Sequence, residues 1–420
     1  MLVTGMSNKK QQIPDIRFKG FTDDWEQRKL GEVSEITKLA GFEFTKYIKY
    51  SDTGHIPAIR GLNVKNGNFV FNDVKYIDES DFSKLSRSKL FAGDIVFTYV
   101  GTIGEAAIIP ENVTWYLAPN VSRIRTTELN PTFLLQLLIN PVFRRKEIET
   151  WIATSSQPAL SMENIRKFEM NIPSHKEQTK IGKFFNNLDK TITLHQRQLY
   201  YYKELKKATL QKMFPREGEK VPEVRFDGYT GEWELRKLGE LAFFSKGTGY
   251  TKGDLTTAGK PIILYGRLYT KYETIIENVD TFVVEKEKSV ISAGNEVIVP
   301  ASGETSEDIS RASVVAKPGI ILGGDLNIIK PKTEIDPAFL ALTISNGGQQ
   351  KELSKKAQGK SVVHLHNSDL KEVDLVYPQK EEQSKIGTFF KHLDDTINLH
   401  QQKVKDYQKL KEVVLKQVFV

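Results

Sequence analysis

The apolar positions of this chain run in two rhythms. Between Glu177 and Phe214, the residues Ile181, Phe185, Leu188, Ile192, His195, Leu199 and Tyr202 fall at alternating spacings of four and three. Ile386, Phe390, Leu393, Ile397, His400, Val404 and Tyr407 repeat the pattern. A 3.5-residue period predicts a helix with a coiled-coil seam. The first such helix runs about 57 Å at ~1.5 Å per residue, and Pro215 with Gly218 ends it. One helix alone would expose its seam, so the simplest expectation is that the two copies bury it on each other. His195 and His400 occupy seam positions, where a polar residue commonly fixes register.

The second rhythm is shorter. Runs such as Asp94 to Val100, Val113 to Leu117 and Glu296 to Pro300 read as strands punctuated by Gly and Asn turns. Two helices open on Asn-Pro and Asp-Pro, from Pro131 to Ile139 and from Pro337 to Ile344. The blocks between the long helices are therefore mixed α/β.

Both rhythms occur twice because the chain is a tandem duplication. The segment Ile13 to Glu32, with Arg17, Phe18, Gly20 and Trp25, is echoed by Val221 to Glu240, with Arg225, Phe226, Gly228 and Trp233. The segment Glu177-Gln-Thr-Lys-Ile-Gly-Lys-Phe-Phe185 is echoed by Glu382-Gln-Ser-Lys-Ile-Gly-Thr-Phe-Phe390. Residues 33–170 and 241–375 agree only in scattered marks, so similar frames carry divergent inserts. That pattern suggests two similarly built domains that contact different things. Trp25 and Trp233 read as core anchors near the starts of the repeats. The expected organisation is a leader at 1–12, a first domain at 13–175, a central helix at 176–215, a linker and second domain at 216–378, and a C-terminal helix at 379–420.

Composition narrows the class. The 420 residues have a net charge of +7, 39% hydrophobic content and no cysteine. No apolar stretch approaches the ~20 residues a membrane span needs. The missing cysteines remove disulfides, thiolate zinc sites and Cys nucleophiles together. Residues 1–6 lack an apolar signal core, so a cytoplasmic location is expected and Met6 is a candidate start. Basic charge concentrates between 176 and 220, with 11 Lys and Arg against 5 Asp and Glu. Elsewhere it occurs as local groups, Lys84/Arg87/Lys89, Arg123/Arg125, Arg144/Arg145/Lys146 and Lys355/Lys356/Lys360, each read first as a solvated face.

Catalytic motifs are near misses. An adenine methyltransferase needs an Asn/Asp-Pro-Pro-aromatic loop, and Asn140-Pro-Val-Phe143 lacks the second proline. Gly359-Lys-Ser361 resembles the tail of a phosphate loop, but Ser354 stands where its first glycine belongs. His364 and His366 are a weak pair, and no spaced ligand cluster supports a metal. Gly101-Thr-Ile-Gly104 is too short for a dinucleotide loop and turns the chain after a strand.

The arm Pro14 to Trp25, the repeated Ile172-Pro and Tyr377-Pro, the Glu-Gln-x-x-Ile-Gly-x-x-Phe segments and the following Leu-Asp-x-x-Ile, ending at Ile192 and Ile397, resemble the specificity subunit of type I restriction-modification enzymes. The resemblance spans nearly the whole chain. It implies an α+β protein in which two mixed α/β target-recognition domains are joined by two long antiparallel coiled-coil spacer helices, as a pseudo-two-fold tandem repeat. Each domain would read one half of a split DNA target. The chain would have no catalysis and bind no cofactor. Two methyltransferase subunits and two motor-nuclease subunits would be its partners, using S-adenosylmethionine, ATP and Mg.

Base reading draws on Arg, Lys, Asn and Gln, with hydroxyls and backbone groups on phosphates. The expected DNA-contacting residues of the first block are Arg60, Asn63, Lys65, Tyr99, Thr102, Ser155, Ser156 and Gln157. Those of the second are Arg267, Tyr269, Lys271, Ser302, Thr305, Lys360 and Ser361. If the halves are two-fold related, the 214-to-221 junction should be matched by Phe419 lying near Ile13 at the start of the first arm, with the termini nearly touching. The rival classes are a duplicated coiled-coil scaffold that binds a protein or glycan, whose affinity would not depend on salt, and a stand-alone modification enzyme.

Overall fold

The computed structural model describes every residue except Met1, 5–12, Ala40, Thr127, 153–157, 306–308, 357–362 and Val420. The chain forms two compact units, residues 1–194 with 403–420, and residues 195–402. Compactness cuts the chain differently from the linear partition: each unit takes one globular block and a segment of both long helices. The central helix spans His175–Met213 and the C-terminal helix Lys380–Val418, 39 residues each. Among the described residues, no helix is long and apolar enough to cross a membrane.

In the first unit, one antiparallel sheet has the order 106–108, 95–98, 121–126, 34–38. A second has the order 75–76, 57–59, 115–117, 89–90, with 57–59 parallel to 115–117. The second unit repeats this plan: 313–315, 296–300, 326–331 and 242–246 form the first sheet, widened by 275–276. Its second sheet is built on 260–263 parallel to 321–322. In both units a two-stranded ribbon joins the arm to the strand before the long helix, 26–29 with 169–172 and 234–237 with 374–377. Strand Leu2–Thr4 pairs with Ile16–Phe18, so part of the expected leader joins the arm.

The short helices at Pro131–Leu138 and Pro337–Ser345 start where their sequences dictate. Asn130 Oδ1 accepts the Phe133 N–H, Asp336 Oδ1 accepts the N–H groups of Ala338 and Phe339, and proline follows each cap. Both helices are almost wholly buried.

The repeated echoes are the joinery of each unit. Glu177 clamps Arg17 through two 2.8 Å hydrogen bonds, and Glu382 clamps Arg225 through two of 2.7 Å. The next residue ties in the short helix: Gln178 accepts the Asn130 N–H at 2.9 Å, and Gln383 accepts that of Asp336 at 2.8 Å. The glycine after Ile in each echo lets the same helix approach. A Cβ on Gly182 would stand 2.8 Å from Asn130 Oδ1, and one on Gly387 would stand 3.0 Å from the Ala338 Cβ.

Residues distant in sequence complete each core. In the second unit Phe214 packs on Trp233, Phe339 and Phe390 at 5.7–6.3 Å between ring centroids. In the first, Phe419 packs on Trp25, Phe133 and Phe185 at 5.5–6.4 Å. Phe419 therefore meets the first arm as Phe214 meets the second. Trp25 and Trp233 are both 2% exposed, as anchors should be.

Within each unit the helix segments run antiparallel. His195 meets His400, and further along Lys206 meets Asp394; in the other unit Lys411 meets Asp189 at 2.7 Å. The seam expectation needs a correction. Ile181, Phe185, Ile386 and Phe390 are buried in the globular cores of their units, with Leu188 and Leu393 at the margin. Ile192 and Ile397 are 8% and 9% exposed. His195, Leu199, His400 and Val404 are only half-buried. The sequence period reports a helix face covered near its start by sheet, short helix and the end of the other long helix together, and towards its middle by the other helix alone.

Candidate nucleic-acid interface

In the first unit the loop after strand 57–59 is shaped by two residues that the sequence offered as base readers. Arg60 Nη2 donates to both the backbone oxygen and the carboxylate of Asp73, each at 2.7 Å. Asn63 is fully buried; its Nδ2 donates to the carbonyls of Val70 and Asp73, and its Oδ1 accepts the Arg60 N–H. Asn63 has nothing left for a base, so it is a loop brace and not a reader.

The second unit uses the same brace. Arg267 Nη1 donates to Asp280 at 2.7 Å, and Nη2 donates to Glu273 at 2.7 Å and to the Asn278 carbonyl at 3.0 Å. Its side chain is 8% exposed, which withdraws Arg267 from the reading set. Lys271 joins the same carboxylate at 2.9 Å. Together Lys271 and Arg267 hold the Asp280 carboxyl down to about 2, so the brace is charged throughout the physiological range. An Arg and an Asp thirteen residues apart, at the same place in both repeats, was the signal that would have marked these arginines as structural.

The remaining expected residues divide. Arg60 and Thr102 line one cavity of about 560 Å³, shared with Tyr50, Leu62, Lys75 and Asn120, four residues that sequence reasoning passed over. Leu62 is 52% exposed there, an apolar side chain offered to solvent. Asn120 has φ +71°, a left-handed turn that aims its loop at the cavity. Burial pushes the Tyr50 phenol up to about 12, so it stays a neutral donor. Lys75 is paired with Asp52. Lys65 is exposed on the short strand 64–65, and Tyr99 is half-buried against the core with Lys38 over its ring, neither lining the cavity.

In the second unit Tyr269 donates its hydroxyl to the Ser302 carbonyl at 2.7 Å, and Ser302–Gly303 pairs with Val363–His364. Thr305 is exposed just beyond. Ser155, Ser156, Gln157, Lys360 and Ser361 lie outside the described residues.

Several residues of the basic groups are spent internally. Arg123 pairs with Glu35, Arg125 with Asp94, Arg144 with Glu105 and Glu149, and Lys355 with Glu217. Asn140, from the near-miss methyltransferase string, caps the turn at Pro141–Phe143 and donates to the Leu415 carbonyl at 2.7 Å. Among the described residues, no group of three His, Asp or Glu could hold a metal.

Residues 22–201 and 230–406 each match the family model of the type I restriction modification DNA specificity domain. The chain belongs to that family. A stretch of 132 residues is 29% identical to the type I restriction enzyme EcoBI specificity subunit of Escherichia coli. It covers 30% of this chain and 27% of that protein, so the match spans about a quarter of the relative's length. The type I restriction-modification S subunit from M. genitalium has the same fold, with a TM-score of 0.63 at 14% identity over 97% of this chain and 99% of that one. The HsdS subunit from Thermoanaerobacter tengcongensis aligns over 94% of this chain and 96% of its own at 16% identity, with a TM-score of 0.44. The two family domains fall within the two repeats, so these loops belong to a DNA specificity domain present twice.

Proposed function

We propose that this chain is the non-catalytic DNA-reading subunit of a type I restriction-modification complex, and that it directs adenine methylation or restriction by partner subunits at an asymmetric bipartite target. The observation that carries the reading is the contrast within each family domain: the arm, ribbon and Glu-Gln clamp are the same twice, while the loops on the sheets differ. A reader of two unlike half-sites needs such a division, because base edges must be met by different side chains from a constant platform.

In the first half, Thr102 and the cavity residues Tyr50, Leu62 and Asn120 are the proposed contacts, with Lys65 at the loop edge and Ser155, Ser156 and Gln157 as further candidates. In the second half they are Lys271, Ser302 and Thr305, with Lys360 and Ser361. Tyr99 and Tyr269 support these loops from behind. Two methyltransferase subunits using S-adenosylmethionine, and two motor-nuclease subunits using ATP and Mg, are the proposed partners, and the cytoplasm is the proposed location.

The test is genome-wide mapping of methylated adenines in cells carrying the gene, then in cells where residues 241–375 are replaced by the corresponding block of a related chain. One half of the methylated sequence should change and the other should persist. Simultaneous change of both halves, or methylation by the purified chain without partners, would overturn the reading.

A further inference from the structure

The carboxyl end of the central helix carries a basic groove that none of the proposed readers lines. It encloses about 920 Å³ between residues 203–217 of the helix end and the start of the helix Gly347–Lys356. Its cationic residues are Lys203, Lys206, Lys207, Lys212, Arg216 and Lys351; the carboxylates lining it are Glu217 and Glu223. Those carboxylates are already engaged. Glu223 takes Lys212 at 2.8 Å and Arg216 at 3.4 Å, and Glu217 takes Lys355 at 3.0 Å. Lys206 is held by Asp394. Lys203, Lys207 and Lys351 are exposed and have no ion-pair partner among the described residues.

Lys203 and Lys207 stand four apart on one helix face, where like charges repel unless an anion lies between them. The groove also offers the neutral amides of Gln211, Asn346 and Gln350. Its lysines are not repeated in the other half. The positions matching Lys203, Lys207 and Lys212 along the C-terminal helix are Gln408, Glu412 and Gln417. The framework does not require these lysines, since the same helix packs without them.

We infer that this groove binds phosphates of the DNA backbone, giving the second unit a sequence-independent contact. The inference rests on the DNA-reading function proposed above. The lining favours a phosphate chain over an acidic protein face. Lysines on flexible stems act as point charges that track a backbone, and of the apolar lining residues Phe214, Pro215 and Ile397 are buried and Leu210 half-buried, leaving no exposed aromatic anchor of the kind that centres a protein interface.

The experiment uses the full chain assembled with its methyltransferase subunits, with binding to a duplex carrying the mapped target measured between 50 and 200 mM salt. Each phosphate contact contributes about 0.9 to the slope of log affinity against log salt. The K203Q/K207Q/K351Q triple variant should lower that slope by about 2 to 3, with the methylated sequence unchanged. Because all three side chains are exposed, the fold should be untouched, and K203R/K207R/K351R should restore the slope. A steep wild-type slope that the triple variant leaves unchanged would overturn the inference while leaving the DNA-reading function standing. Loss of methyltransferase assembly in the triple variant would overturn it too, by making the groove a protein interface. A wild-type complex whose binding ignores salt would sink the proposed function itself.

Discussion

The two units agree where the arm meets the long helix and part company where loops leave the sheets. Arg17–Glu177 and Arg225–Glu382, Gln178 and Gln383, Gly182 and Gly387, Phe419 and Phe214 are the same device made twice. Among the described residues the loops share the Arg60–Asp73 and Arg267–Asp280 brace, while the second unit carries a strand, 275–276, in its first sheet and a basic groove at the end of the central helix. The lesson is that duplication preserved what holds a loop and released what the loop presents.

The comparison is most severely tested at the buried clamp. Glu177→Gln leaves the Arg17 guanidinium, 5% exposed, without its counter-charge, whereas Glu382→Gln leaves Arg225 at 15%. Breaking such a pair costs about 3 to 5 kcal/mol, and the first unit should lose more. Hydrogen exchange read peptide by peptide should place each loss in its own unit; equal losses spread over both would show that the units are not separate stability domains. Phe419→Ala and Phe214→Ala come next, each about 3 kcal/mol from removal of a buried ring. Chemical unfolding with limited proteolysis should expose residues 13–33 in one variant and 221–241 in the other.

Smaller effects sharpen the contrast. Gly182→Ala forces a methyl group towards a cap oxygen and Gly387→Ala towards another methyl, so each should cost about 1 to 3 kcal/mol, more for Gly182. Asp73→Ala and Asp280→Ala remove carboxylates that are 62% and 64% exposed, which limits the stability loss to below about 1 kcal/mol. Each should nonetheless loosen specificity in its own half-site, read by methylation mapping; unaltered specificity would separate the brace from the reading loop.

The smallest expected effect concerns pH. His195 and His400 face each other with Nδ1 atoms 2.9 Å apart, and Tyr202 stacks on His400. Burial, then the neighbouring His195, lower the His400 value, so the unfolded chain holds that proton more readily than the folded one. Stability from the pair is therefore present above about pH 6.5 and lost as pH falls through the unfolded value. His400→Gln should flatten that slope in thermal unfolding between pH 5 and 7.

The frame was legible in the sequence because its parts are local signatures with mechanical duties: Asn-Pro and Asp-Pro start helices, Glu-Gln binds the arm and the cap, and Ile-Gly marks a close approach. The seam was legible as a period but not as a partner, since the same spacing serves a helix lying on a sheet and a helix lying on a helix. The reading surface was least legible. Whether Arg60 faces DNA or Asp73 depends on a carboxylate thirteen residues away, and the cavity gathers Tyr50, Leu62 and Asn120 from three separate loops.

The contact between Phe419 and Trp25 also sets an order of events. Domains generally fold as they emerge from the ribosome, the amino-terminal one first. Here the core of the first unit includes Val414, Leu415, Val418 and Phe419, so it stays open until residue 419 has been made. The buried core of the second unit runs from Met213 to Leu393, within residues 195–402. Of the two units, the one begun first is thus finished last, and a chain stopped at residue 402 would carry the second unit beside a first one whose aromatic core lacks its closing ring.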